Sequence, residues 1–344
     1  MTNKRKYNIF IFLSTFIRNI LEIYSIVYLY KNGFNFRNIL SFYILLYILG
    51  IFISSITIYL ASIIKIKYLL IFSIIMSIIS YYLLYKIDNY YLLIPLLSLS
   101  MFTYHPIRHL YGIKNLNNRI EIGNNLIFVY LANLLSNIIV IKRINLIYVI
   151  ILSVLSIIPL FFIEDKKEKF KINKIKKDKI IYFILDQGRV LFLLFEPLYL
   201  YIYISSKISY IGLFNIILTL ASIIYIYLIG KYLNLIKCFK YLNIIFVIIL
   251  LLKLNINDKN ILLIIAFLEG LLSKTNELYS TRVMYQNKDN VYGYIFLSEI
   301  VFLLTRIIIL ILMYFINNLI IMLYILIFML FLISTKKNTS YLVS

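Results

Sequence analysis

The sequence predicts an all-α polytopic membrane protein, its twelve transmembrane helices forming two six-helix pseudo-symmetric bundles. Three observations carry this. The 344 residues are 63% hydrophobic, with a mean hydropathy of +0.94 and only 14% charged side chains, more apolar surface than a soluble core of this size hides. Apolar runs long enough to cross roughly 30 Å of hydrocarbon as helices recur along the chain. One long polar connection then divides those runs six and six.

In order, the runs fall at 7–30, 38–63, 68–85, 90–112, 122–141, 145–163, 180–204, 208–229, 241–257, 260–283, 291–314 and 318–334. The first is too long for a signal-peptide core and no small-residue cleavage site follows it, so it is expected to persist as a helix. Residues 164–179, EDKKEKFKINKIKKDK, hold eight lysines against four acids and no apolar period that would fold alone. The expected domains are therefore 1–163, a basic cytoplasmic linker 164–179, and 180–344.

The net charge of +21 would point to nucleic acid in a soluble chain, but its placement argues otherwise. With both termini cytoplasmic, the basic residues of the loops gather on that side: Lys4, Arg5 and Lys6, Lys65 and Lys67, the linker, Lys336 and Lys337. This is the positive-inside bias, and it reads as topology plus contact with anionic headgroups, with no nucleic-acid partner. The expected location is the plasma membrane of a bacterium. No Trp is present among 33 Tyr and 25 Phe, so tyrosine must supply the interfacial belt. The single cysteine, Cys238, leaves no internal disulfide and no metal site; no cofactor is expected, and a monomer is.

Two stretches repeat at one spacing. IVYLYKNGFNFRNILSFYILLYI (26–48) echoes PLYLYIYISSKISYIGLFNIILTL (197–220), and HLYGIKNLNNRIEIGNNLIFVYLANLLSNII (109–139) echoes ELYSTRVMYQNKDNVYGYIFLSEIVFLLTRII (277–308), both about 170 residues apart. Same-numbered segments of the two halves match in the same orientation, which places a two-fold axis along the membrane normal.

Twelve segments, a basic central loop and parallel half-repeats resemble the major facilitator superfamily over nearly the whole chain. Its motif between helices 2 and 3 is degenerate: in YLASIIKIKYLL (59–70) Lys65 and Lys67 remain, but the glycine and aspartate are absent. Glu299 and Arg306 in LSEIVFLLTRIII resemble a Glu followed seven residues later by Arg in some bacterial members. The resemblance implies a secondary transporter whose segments 1, 4, 7 and 10 line a central cavity.

Ionisable residues inside the spans concentrate in those segments and segment 11. They are Arg18 and Glu22; His105, Arg108 and His109; Asp186, Arg189 and Glu196; Glu269, Lys274 and Glu277; and Glu299 with Arg306. Lys253 reads as an edge residue of an otherwise uncharged segment 9. A charge at mid-depth facing lipid costs roughly 2.5–3.5 kcal/mol on the insertion scale, so these groups must pair or face water. Arg18 and Glu22 (i, i+4), Asp186 and Arg189 (i, i+3) and Lys274 and Glu277 (i, i+3) are spaced to pair along one helix. Glu269 needs a partner on another helix, and Glu196 reads as the more exposed candidate for a proton. His105 and His109 share a face, segment 4 forms a polar wall towards segment 10, and Pro106 is placed to open the helix there. For Arg108 and His109 snorkelling to lipid phosphates is the competing reading, and Arg18 with Glu22 or Glu299 with Arg306 also fit structural ion pairs.

The expected function is secondary transport of a small polar or charged solute by alternating access, coupled to a proton carried by Glu22, Glu196, Glu269 or His105. The alternative is a lipid or lipid-linked-sugar flippase. A membrane-embedded transferase fits less well, because the loops away from the termini are short and no HExxH motif occurs; no GxxxxGK[ST] motif is present for ATP drive. The chain is not expected to be an enzyme.

Overall fold

The computed structural model describes residues 3–86, 90–115, 119–141, 146–162, 175–230, 235–285 and 291–335. Among them there is no strand, and the helices join into twelve continuous rods. α1 runs Asn3–Asn19, continues through a π turn at Ile20–Tyr24 and ends with Ser25–Lys31. α2 is Phe36–Ile63 and α3 Ile66–Lys86. α4 is Leu93–Asn115 entered by a 3-10 turn at Tyr90–Leu92, α5 is Arg119–Ile141, and α6 is Leu146–Leu155 with Ile157–Phe161. α7 is Lys177–Tyr199 with a π turn at Leu200–Ile204, α8 Ile208–Tyr225 with a π turn at Ile226–Gly230, α9 Leu235–Asn255, α10 Lys259–Tyr285, α11 Val291–Ile316 and α12 Leu319–Thr335. Six of the rods, α1, α2, α3, α5, α8 and α11, are long and apolar enough to cross a membrane by length and composition. Most of the linker predicted at 164–179 lies outside the described residues.

Helix is the answer to a backbone that must satisfy its own hydrogen bonds away from water. Polar side chains then mark the turns. Gly33 adopts φ +90° after α1, a region open to glycine, and the Asn35 side chain accepts from Asn38 N at 2.8 Å to start α2. Asp258 accepts from Asn260 N and Ile261 N (2.8 and 3.0 Å) at the start of α10, and Asn318 accepts from Ile321 N at 3.1 Å at the start of α12. These are ordinary N-caps. Pro106, expected to open α4, does not interrupt it: the helix is continuous to Asn115.

Packing follows one rule twice. α4 packs on α2 and α3, and α10 on α8 and α9; α1 packs on α5 and α6, and α7 on α11 and α12; α3 meets α6 as α9 meets α12. The contacts between these groups obey the same exchange, α2 with α11 and α5 with α8. At the α8–α10 seam the backbones come close: a Cβ on Gly270 would strike the Leu218 carbonyl, and the Ser222 hydroxyl donates to Gly270 O at 3.1 Å. The α2–α4 seam uses the same chemistry, Ser98 donating to Leu46 O at 3.2 Å. Small residues and hydroxyls hold helices together where lipid offers no hydrophobic drive.

Candidate functional site

α1, α4, α7, α10 and α11 bring their ionisable residues to the interior. Glu22 accepts from or donates to His105 Nε2 across 3.1 Å, and both side chains stay about a third exposed, 33% and 29%, although they lie deep within their rods. One helix over, Lys274 donates to Glu277 at 3.0 Å, with Glu277 25% exposed. The Tyr130 hydroxyl on α5 donates to the same carboxylate, and its ring lies 4.2 Å from the Lys274 ammonium. Asp186 and Arg189 pair through Nε–H at 2.9 Å and Nη2–H at 3.2 Å, and Ser280 donates to the aspartate at 2.9 Å. A carboxylate holding a guanidinium in two places fixes it in position. The electrostatic neighbours of Glu277 include Arg189 as well as Lys274, so α7 and α10 present one joined cluster.

Arg18 and Glu22 form no direct ion pair, which their spacing had allowed, although each still feels the other's charge. The π turn at Ile20–Tyr24 changes the angular step between them; Glu22 turns to His105, and Arg18 enters the α3–α4 interface. There the guanidinium donates to Ser100 O (3.2 Å) and Ser73 Oγ (3.0 Å) and lies 3.6 Å over the Tyr104 ring, 4% exposed and with Nε unpartnered. Glu299 and Arg306 likewise form no ion pair. Arg306 Nε donates to Gln187 Oε1 at 2.8 Å and the guanidinium lies 5.3 Å over the Tyr47 ring, while Glu299 is buried at 5% exposure.

Arg108 and His109 do not snorkel outward. The Arg108 guanidinium lies in electrostatic range of Tyr7, Tyr104, Tyr285 and Glu277 and forms no hydrogen bond or ion pair among the described residues. His109 meets the Tyr285 ring of α10 edge-on at 6.2 Å, and its Nδ1 is buried without a partner. α4 thus faces α10.

Contacts between the halves occur at both ends of this polar interior. On the face where α1 begins, the terminal face, Lys114 donates to Tyr292 Oη at 3.0 Å and Tyr292 donates to Ala61 O at 3.2 Å, tying α4 and α2 to α11. On the opposite face Tyr30 meets Tyr201 at 6.1 Å, Phe195 meets Phe36 at 6.1 Å and Tyr43 at 5.9 Å, and Arg37 lies 5.2 Å over Tyr314.

Two expectations fail together at a third cluster. Glu196, read as the exposed proton candidate, is 3% exposed, and Lys253, read as an edge residue, is fully buried between Glu196 and Glu269. Lys253 lies two residues from the end of α9, but its long side chain reaches back towards the depth of the two carboxylates. A solitary Lys near the end of an apolar run, with two unmatched acids at a similar depth, was the signal. Tyr130 and Tyr104 were hidden among 33 tyrosines, and Gln187, one of two glutamines in the chain, carries no charge to mark it.

No family model and no curated protein matches the sequence. Solved structures do match in fold. A bacterial homologue of the iron transporter ferroportin in an outward-facing state aligns at TM-score 0.67 and 11% identity over 97% of this chain and 98% of that one. The nucleoside transporter NupG aligns at 0.65 and 13% over 97% and 100%, and the human organic anion transporter MFSD10 at 0.61 and 9% over 96% and 100%. The chain shares the fold of these three transporters. At these identities the likeness speaks for architecture, and the cargoes named for the three proteins differ from one another.

Proposed function

We propose that the chain is a secondary transporter of a small polar or charged solute, with residues 1–163 and 180–344 as two six-helix bundles that rock about the central cluster. The observation that carries the reading is the convergence of Glu22, His105, Arg108 and Glu277, partly exposed yet deep, with the buried Lys274, between two sets of contacts that link the halves at opposite faces. Charges at that depth are tolerated where they pair or meet water, and alternate breaking of the two sets would expose them to one face at a time. The fold shared with three transporters of different cargo supports the mode of action. Arg108, whose guanidinium is bonded to no acid among the described residues although it feels Glu277 and Glu22, and the rings of Tyr104 and Tyr285 suit a solute with an anionic or hydrogen-bonding group beside a planar one. Transport coupled to protons, cytoplasmic termini, a bacterial plasma membrane and a monomer complete the reading, and no enzymatic step belongs to it.

The test starts from Cys238→Ser and places single cysteines at Glu22, His105 and Glu277. Membrane-impermeant thiol reagent applied from either side should label each of them, with the reactive side shifting with pH or solute. Failure to label from both sides in variants that fold would mean sealed ion pairs and would remove the reading.

A further inference from the structure

Glu196, Lys253 and Glu269 lie apart from the central cluster, at the junction of α7, α9 and α10. The Lys253 ammonium donates to Glu269 Oε2 at 2.7 Å and pairs with Glu196 Oε1. Lys253 and Glu269 are 0% exposed and Glu196 3%. The rings of Phe192 and Phe214 lie 5.4 and 4.6 Å from the ammonium. Glu269 Oε1 is buried with no hydrogen-bond partner, and Glu196 Oε1 meets Lys253 as an ion-pair contact without a hydrogen bond.

Among the described residues, the surrounding elements bring no second ammonium or guanidinium into bonding distance of the two acids. On α7 the Tyr199 hydroxyl donates to Lys253 O at 3.3 Å. On α12 Tyr324 donates to Asn255 Oδ1 at 3.3 Å. Further along α10, Lys274 feels Glu269 electrostatically, but its ammonium is bonded to Glu277. α8 contributes Phe214 and no charge at this point. Two ionised carboxylates on one ammonium would leave a net negative charge in an apolar pocket, which burial penalises heavily, whereas one added proton makes the group neutral and gives the orphan oxygen a hydrogen.

We propose that Glu196, Lys253 and Glu269 together hold one exchangeable proton, shared by the two carboxylates, as a proton-binding site distinct from the central cluster. The step is a simple protonation: an O–H bond forms on a carboxylate oxygen, the proton comes from water, and no electrons move. Lys253 fills the space between the acids and so excludes a metal cation. Glu196 follows Phe195, whose ring closes the face opposite the termini against Phe36 and Tyr43; resting on the transport reading, loss of the proton loosens that closure.

The decisive experiment is infrared difference spectroscopy of the purified full chain in detergent, titrated from neutral to alkaline pH. Wild type should show a protonated-carboxyl band that disappears on alkalinisation and is absent from both Glu196→Gln and Glu269→Gln, each of which leaves one carboxylate for one ammonium. Glu22→Gln should retain it. A band unchanged in both variants, no band in wild type, or a band displaced by sodium at fixed pH would overturn the proposal. Should a Gln variant fail to fold, wild-type melting decides: its temperature should fall as pH rises past neutrality, and a flat profile contradicts the bound proton. Neither readout requires transport, so its failure and a failure of cysteine labelling are separate results.

Discussion

The two halves pack by the same rule but satisfy most of their buried cations differently. In the first, Arg18 is buried on a hydroxyl, a carbonyl and a ring with no directly bonded acid, and the Arg108 guanidinium forms no hydrogen bond or ion pair among the described residues, feeling Glu277 only at longer range. In the second, Arg189 is held by Asp186, Lys274 by Glu277, and Lys253 by two carboxylates. Arg18 and Arg189 occupy corresponding places in the repeat, about 170 residues apart, so scaffold alone does not dictate how a buried cation is satisfied. Arg306 is the exception in the second half, held by Gln187 and the Tyr47 ring with no bonded acid.

That contrast can be broken most forcefully at Lys253. Lys253→Met leaves two buried carboxylates without their ammonium and should cost about 3–5 kcal/mol, seen as a large fall in detergent melting temperature; a second substitution, Glu269→Gln, should restore much of it. A loss below about 1 kcal/mol would mean the triad is hydrated rather than dry.

The corresponding arginines give the next largest effect. Arg189→Met strands Asp186, with only Ser280 donating to it, and should cost about 3 kcal/mol. Arg18→Met strands no acid, so losing two hydrogen bonds and a cation–π contact against relief of desolvation should cost only about 1 kcal/mol. Equal losses in chemical unfolding would erase the asymmetry between the halves.

Tyr130→Phe removes one hydrogen bond to a carboxylate and should cost about 1.5 kcal/mol, with Lys274→Gln less harmful in that background than in wild type if the two act on Glu277 together. The smallest stability change is expected at Glu22→Gln, under about 1 kcal/mol, because the Glu22–His105 pair is partly exposed and screened. In reconstituted vesicles the same change should nonetheless abolish solute uptake.

Much of the scaffold was legible because its signals are local. Apolar length gave the rods, and i, i+3 spacing gave the Asp186–Arg189 and Lys274–Glu277 pairs, which depend on a single helix. What was hidden depends on geometry between helices or on helix irregularity. The Arg18–Glu22 spacing implied a pair that a π turn undoes, and Glu299 with Arg306 was separated by the pull of Gln187 and Tyr47 from other helices. Lys253 sat so near the end of its run that lipid headgroups were the natural destination, while the partners that bury it come from α7 and α10. The face that α4 turns to α10 was readable from His109, whereas His105 turned instead to Glu22 of α1, and the lack of a bonded acid at Arg108 was not readable.

The central claim is that the halves rock against each other, and distances across them test it most directly. In the Cys238→Ser background, spin-label pairs at Asn38 with Phe315 and at Lys65 with Lys177 would report the opposite and terminal faces, all four positions being exposed. In vesicles, a change of pH or solute should lengthen one distance as it shortens the other. Two distances that stay fixed, or that move in the same sense, would contradict alternating access.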